Sequence, residues 1–550
     1  MEPRTVAELL AGPKDDWDPT HSSDAAVNHW TTTNLGEAVP GVVSPLCTAF
    51  WDLRGSTTAR RVAYVVGAIS KRELEQQFPP EERVLRYFYG RLAVKLEYMT
   101  LLGDRMPGVT GAEMLESMFN EAPPGISFDP TIRRYPFIAV RLARTFLTIP
   151  PVLRAMCADT DSWWREQVLT VPGLDAAGAR RAFTDACEHY QTALDTHVTA
   201  MFGSFQPVFD TLDRLVKRAG TGDLAVLSGT GGAETAVVGD IWRASRGQIE
   251  LSDVVASHGF HGPGEGEISS HVWRDDPSPL YRIVEHYRAV PEEQSPERLE
   301  AAKAARWPAM AAEVLAALPP TARPSAKLVL KLARERIPDR GRGKRAFLQG
   351  IDVGRMAARR LGELYVAEGA FSDCDDAFYL TEPELLGPLA RDVGELIAKR
   401  RERRAAYERI AFRATTWAGM PHAFEIDNAP VADVPLDAEG ADRTGTRVEG
   451  LGASAGIVEG VVRVVTDPGF ADVEPGEVLV APTTDPSWAS IMFVSAALVV
   501  DLGGMLSHAA VVARELGIPC VVNAGDATTR LRTGDRVRVD GKTGIVEVLA

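Results

Sequence analysis

Near residue 430 the apolar pattern of this sequence switches from a helical period to a strand period, and few architectures accommodate both in one chain. Upstream, Val84 to Leu102 and Leu385 to Phe412 repeat apolar residues every three or four positions, the spacing of a helix with one buried face. Similar stretches occur near 139–157, 178–218, 296–317 and 353–368, separated by Pro/Gly-rich connectors such as PPGISFDP and GFHGPGEGEIS. Residues 427–448 carry almost no large apolar side chains and read as a linker. Beyond them, IVEGVVRVV, EVLVAP, AALVVD, CVVNA, RVRVD and GIVEVL are short Val-rich runs punctuated by Gly, Pro and Asp, which is strand chemistry. One helix interrupts them, Ser507 to Leu516. Ser507 caps its start, Gly517 takes the left-handed position past its end, and Pro519 forbids continuation. The prediction is a multidomain chain with a mostly α-helical body over 1–426, a linker over 427–448 and a small, mobile α/β domain over 449–550.

Composition removes several function classes. With 45% hydrophobic and 25% charged residues the chain has ordinary globular make-up. The longest strongly apolar run, Ile491 to Val500, is about half of the ~20 residues that a membrane-spanning helix needs. The N-terminal MEPRTVAELLAGPKDDWD has acidic residues where a signal peptide would have its apolar core. The five cysteines lie far apart and form no CxxC pair, so neither a disulfide framework nor a cysteine zinc site is expected, and the cytoplasm is the natural compartment. A net charge of -15 disfavours a nucleic-acid partner. The expectation is therefore a cytoplasmic protein with no membrane and no nucleic acid among its partners.

The chemistry concentrates in VVDLGGMLSHAAVVARELGIPCVV, Val499 to Val522. A strand runs into Gly503-Gly504, and a helix then opens with Ser507 and His508. The free N–H groups of a first helical turn, together with the helix dipole, favour an anion beside His508. An imidazole placed there can attack phosphorus, and the phosphoryl group so formed would lie over backbone donors, framed by Gly504 and Ser507. From these residues alone a second reading stands, in which the histidine simply packs at a helix start.

These residues resemble the phosphohistidine domain of the phosphoenolpyruvate (PEP)-utilising enzymes. The resemblance covers roughly Gly450 to Ala550 through LGASAGIVEGVVRVV, GEVLVAPTTDPSW, GGMLSHAAVVARELGIPCVV and LRTGDRVRVDGKTGIVEVL, in order and at matching spacing. It implies that His508 is the phosphorylated residue. It also implies that Thr483, Thr484, Asp485 and Ser507 shape the loop around it, with a purely structural role for them equally open.

Three upstream segments resemble the acceptor-binding region of rifampicin phosphotransferase-type enzymes: WTTTNLGEAVPGVVSPL, HGFHGPGEGEISSHVWRDDP and Lys331 to Leu385. In that arrangement an ATP-grasp domain comes first. Here no such segment is found, and GTGGAETA (Gly229 to Ala236) matches no phosphate-loop spacing. The expectation is that ATP and Mg2+ sit on a separate ATP-grasp subunit and that this chain binds no cofactor tightly. That split resembles phenylphosphate synthase and 4-methylphenyl phosphate synthase, which implies a small phenolic acceptor; a rifamycin-like acceptor, or a phosphocarrier that catalyses nothing, are the alternatives.

Within His258 to His271, His261 or Glu265 is the candidate general base, and His258, Phe260, Glu267 and Trp273 are candidate pocket residues. Loop-structuring hydrogen bonds and core packing are the competing readings. The spacing of these histidines and glutamates fits no zinc motif, so no metal is expected. Arg334, Lys344 and Arg355 form a basic set suited to a transferring phosphoryl group, or else pair with Glu335 and Asp352.

Overall fold

The computed structural model describes residues 16–549 except 120–121, 221–232, 426–444, 467–472, 485–487 and 505–506. The expected linker up to residue 444, Asp485 and the glycines of GTGGAETA thus lie outside the described residues. Two compact units emerge: Met1–Thr199, Gly266–Ser270 and Gly343–Gly440 form one, and Ala200–Glu265, His271–Arg342 and Ala441–Ala550 form the other.

The first unit is mainly helical, with long helices at Thr48–Val65, Tyr135–Thr170 and Val393–Glu408. Beside them lies an antiparallel sheet in the order Leu85–Phe88, Arg91–Lys95, His29–Thr31, Thr416–Ala418. Here one sequence expectation fails. Val84 to Leu102 is not one helix: Leu85–Phe88 and Arg91–Lys95 form a hairpin, and a helix begins only at Leu96. The turn is made by Tyr89 and Gly90, both at positive φ (46° and 75°), which twists the two strands onto each other. Leu85–Phe88 is buried along its whole length, Arg86 included, so burial does not alternate along it as in a half-buried strand. The expected helix from Leu385 to Phe412 likewise breaks after Leu386, resumes at Val393–Glu408, and gives way to a strand at Ile410–Phe412. Gly387 and Pro388 account for the break. Trp30, Phe88, Tyr407 and Trp417 anchor one core of this unit.

The second unit contains helices such as Gln206–Ala219, Ala233–Ser245 and Ser278–Ala289, and an eight-stranded sheet. The sheet order is Arg447–Glu449, Ile545–Val548, Arg536–Asp540, Ile457–Val464, Val478–Ala481, Ala497–Val500, Cys520–Val522, Leu451–Ser454. Its central strands are parallel, with Val478 opposite Ala497 and Leu498 opposite Cys520, while the flanking pairs are antiparallel. All six Val-rich runs predicted as strands are strands. Val478–Ala481 and Ala497–Val500 are buried on both faces, which explains their unbroken apolar character.

The period of two assigns their side chains to different cores. Leu479, Ala481, Leu498 and Val500 face one cluster, and Val478, Val480, Ala497 and Val499 face the other. The first cluster also contains Ala509, Ala510, Val512 and Ala513 from the helix His508–Leu516, together with Val237, Ile241, Trp242 and Tyr287 from the upstream helices.

All five cysteines are free. Among the described residues one helical stretch, Tyr135–Gly173, is long and apolar enough to cross a membrane by length and composition, and it lies outside the apolar run 491–500.

Candidate functional site

The strand Ala497–Val500 ends at Asp501, whose carboxylate accepts from the N–H and hydroxyl of Thr528. Burial raises the Asp501 carboxyl above its ordinary range against these hydrogen bonds. Gly503 follows at φ 149°, a conformation that a side chain would strain. The N–H of Ser507 then donates to the Gly504 carbonyl at 3.0 Å. Ser507 is the N-cap: its backbone is extended and its hydroxyl accepts from the Ala510 N–H at 3.2 Å. Gly517 closes the helix at φ 74°. Cap, glycine and stop residue thus act where the sequence placed them.

His508 is the first residue of this helix and is 7% exposed. Its Nδ1 lies 3.1 Å from the Thr484 hydroxyl, itself buried in the segment after Val478–Ala481. This contact engages Nδ1 and sets the orientation of the ring. Thr483 keeps its hydroxyl buried without a hydrogen-bond partner among the described residues. Arg514, two turns along, donates from Nε to the Ala453 carbonyl at 2.7 Å and so ties the helix to the neighbouring strand. Burial lowers its pKa to about 10.

In the same unit, the helix Leu251–His258 leads into a tight loop. The His261 N–H donates to the His258 carbonyl, and the Trp273 N–H donates to the His261 carbonyl at 2.8 Å. Gly262 permits the crossing, because a Cβ there would come within 2.9 Å of the Val272 backbone. His261 and Glu265 are both buried, with Nδ1 and Oε2 2.7 Å apart. His258 Nε2 meets Asp240 Oδ2, also at 2.7 Å. Burial opposes ionisation of Asp240, but hydrogen bonds from His258 and Arg243 outweigh it and hold the carboxyl below its usual range. The loop thus holds two carboxylate–imidazole pairs whose rings are 6.3 Å apart. Asp240 was missed by sequence reasoning; it lies 18 residues before His258, and nothing in the local pattern links them.

The remaining candidates have other surroundings. Phe260 and Trp273 are almost wholly buried, and Trp273 is part of the first core cluster, its ring 5.7 Å from His261. Glu267 accepts from the Ser44 N–H and hydroxyl and from the Ser269 N–H within the first unit. Arg355 is 1% exposed, and its guanidinium donates to Asp352 and to the carbonyls of Glu267 and Ile268, while Asp352 also accepts from the Trp164 indole. That is a structural clamp. Lys344 lies on the same helix, Asp339–Ala367, eleven residues earlier and therefore ~16 Å away along the axis. Arg334 is exposed and stacks over Trp307 at 4.8 Å. Arg355 and Arg334 thus have different partners. Among the described residues only Asp373, Cys374 and Asp375 bring three potential ligand atoms together, and Arg359 already pairs with Asp375.

Comparison with known proteins finds two matching segments. Residues 473–544 match the family described as PEP-utilising enzyme, mobile domain, and residues 208–340 match the rifampicin phosphotransferase fourth domain. The chain is 36% identical over 294 residues to an uncharacterised protein of Mycobacterium tuberculosis, covering 53% of this chain and 30% of that one. It is 33% identical over 306 residues to a rifampicin phosphotransferase of a Streptomyces species, covering 53% and 33%. A probable phosphoenolpyruvate synthase of Staphylothermus marinus is 49% identical over 102 residues, 18% of this chain and 12% of its own. The chain thus spans about a third of the length of the first two relatives. Residues 473–544 are thus similar to the mobile domain of the PEP-utilising enzymes, and residues 208–340 to the fourth domain of rifampicin phosphotransferase.

Proposed function

We propose that this chain is a phosphotransferase that carries a phosphoryl group on His508 to the hydroxyl of a small phenol. The observation that carries the reading is His508 at a capped helix N-terminus with its Nδ1 on Thr484, inside the segment that matches a PEP-utilising mobile domain. His508 Nε2 attacks phosphorus and an N–P bond forms as the donor's P–O bond breaks. The first-turn N–H groups and the helix dipole favour the new anion. In the second step the acceptor oxygen attacks phosphorus, the N–P bond breaks, and the acceptor proton passes to His261, held by Glu265 through its other ring nitrogen. The presence of both histidines in one compact unit, whose core includes Trp273 beside His261 and Ala509 beside His508, favours this assignment.

ATP and Mg2+ belong to a separate ATP-grasp subunit in this reading: His508 displaces AMP from the β-phosphorus, water then cleaves the terminal phosphate from the transferred pyrophosphoryl group, and AMP and phosphate are the by-products. A phenol suits the site because its pKa of about 10 lets one base make its oxygen nucleophilic near neutral pH. A second reading, a larger rifamycin-like acceptor, is favoured by the match of residues 208–340. The test is reconstitution with the ATP-grasp subunit and radiolabelled ATP. Acid-labile, base-stable label should appear on the wild type and be absent from His508→Ala. Label that survives this substitution removes the mechanism. Alkylphenols, rifamycins, sugars and alcohols offered to the labelled protein then identify the acceptor; transfer to a rifamycin with every phenol untouched would select the second reading.

A further inference from the structure

The helix Tyr135–Thr170 of the first unit leaves one face uncovered. Val140 and Leu147 are each 72% exposed, and Phe137 and Val152 are more than half exposed. These residues and the exposed Pro151 recur at helical spacing along one side of the helix, so they form a continuous stripe and are not scattered singly. The charge along the stripe is one-sided. Between Asp129 and Asp159 the sequence has five arginines and no acidic residue, in a chain whose net charge is -15. Arg134 and Arg141 are tied to backbone carbonyls of Gly67, Ile69 and Tyr64. Arg133, Arg144 and Arg154 are exposed and make no ion pair among the described residues, and the same holds for Asp159 at the far end.

We propose that this face is a self-association surface on which a second copy of the chain packs antiparallel about Leu147. A two-fold centred there sets each residue opposite the one equally far beyond Leu147 on the other copy. Arg144 then falls level with the buried Pro150 and Arg154 faces Val140, so no arginine opposes another. Asp159 falls opposite Tyr135, the first residue of the helix, and Arg133 lies two residues before it in the preceding turn, so that two Arg133–Asp159 pairs close the ends of the interface. A register centred three residues earlier would instead set Arg144 against its own copy and Arg133 beside Arg154. The helical stripe from Tyr135 to Asp159 is ~36 Å long and ~15 Å wide, or ~540 Å2 per copy, about two thirds of the ~800 Å2 that a standard interface takes from each partner. The exposed Ala139 and Ala143, one turn apart beside Val140, leave a shallow groove into which side chains of a facing helix fit.

The test is sedimentation equilibrium of the full chain at ~50 µM, a concentration at which a micromolar dimer is populated. The wild type should be a dimer and Leu147→Glu a monomer with an unchanged thermal melt, since that side chain is exposed in the folded unit. Arg133→Glu should weaken the dimer ~10-fold and combination with Asp159→Arg should restore it, the signature of a direct pair. A monomeric wild type, a dimer indifferent to Leu147→Glu, or a double charge swap that fails to restore association would each overturn the proposal. So would a monomer that floats with vesicles containing anionic lipid through this face, which would make a membrane the occupant.

Discussion

At His508 one hydrogen bond, from the Thr484 hydroxyl to Nδ1, sets the orientation of the ring. The Thr484 hydroxyl occupies Nδ1, so removing it should disturb orientation more than folding. Thr484→Val is expected to slow acid-labile labelling ~10-fold or more while leaving the melting temperature within a few degrees, as a lost orienting contact does. Labelling at the wild-type rate would show that the Nδ1 contact is incidental. Arg355 illustrates the opposite case. It sits in a basic stretch that suits phosphoryl binding, but its guanidinium is consumed by Asp352 and two carbonyls. Arg355→Leu should cost ~3–5 kcal/mol in urea unfolding, because it strands the buried Asp352 carboxylate. Lys344→Ala should move stability by less than ~1 kcal/mol. His508 was legible because glycines, a capping serine and the helix end all flank it locally. Asp240, its carboxylate on His258, was not, since the two meet only when separate helices pack.

Helix ends were the most legible elements of this chain. Ser507, Gly517 and Pro519 act through the backbone of their own few residues, so no tertiary contact is needed to read them. The hairpin at Leu85–Lys95 was misread because its strands are short and largely buried, so no alternation of burial separates them from a helix. A capping box at Ser70 and Glu73 offers a pH-dependent test at this scale. Burial opposes ionisation of Glu73, but the Ser70 hydroxyl and N–H and the Arg105 guanidinium outweigh it and pull the carboxyl from 4.5 to about 2. The folded state therefore gains stability from ionised Glu73 above pH 4.5 and loses it as pH falls toward 2. Glu73→Gln should lower stability at pH 7 by ~1 kcal/mol, the usual scale for a lost cap. The gap between variant and wild type should narrow between pH 4.5 and 2 in denaturant titrations; a gap that stays constant would assign the effect to packing instead.

On the scale of the whole molecule, the second unit joins segments far apart in the chain. Phe493, on the short helix Ala489–Val494, lies 6.5 Å from the Trp242 ring and 5.3 Å from Tyr287, within the cluster that also holds Leu479 and Leu498. The sheet has a second core on its other face and its own ladders, so this aromatic seam should be weaker than the sheet itself. Trp242→Ala is expected to raise amide exchange in Ser278–Ala289 ~10-fold while Val478–Ala481 and Ala497–Val500 stay protected. Equal loss of protection in both regions would show a single cooperative core.

What the amino-acid sequence determined by itself is everything that depends on neighbours in the chain. The six Val-rich strands, the capped helix that carries His508 and the change of texture near residue 430 all follow from backbone preference and a period of two or 3.6. Tertiary structure decided which distant groups meet: the Thr484 hydroxyl on His508, Asp240 on His258, Asp352 and the carbonyls of Glu267 and Ile268 around Arg355. It also decided that helices from 200–265 and 271–342 cluster with the C-terminal sheet. Apolar side chains bury without regard to their separation in sequence, because the hydrophobic effect is non-directional and counts only area removed from water.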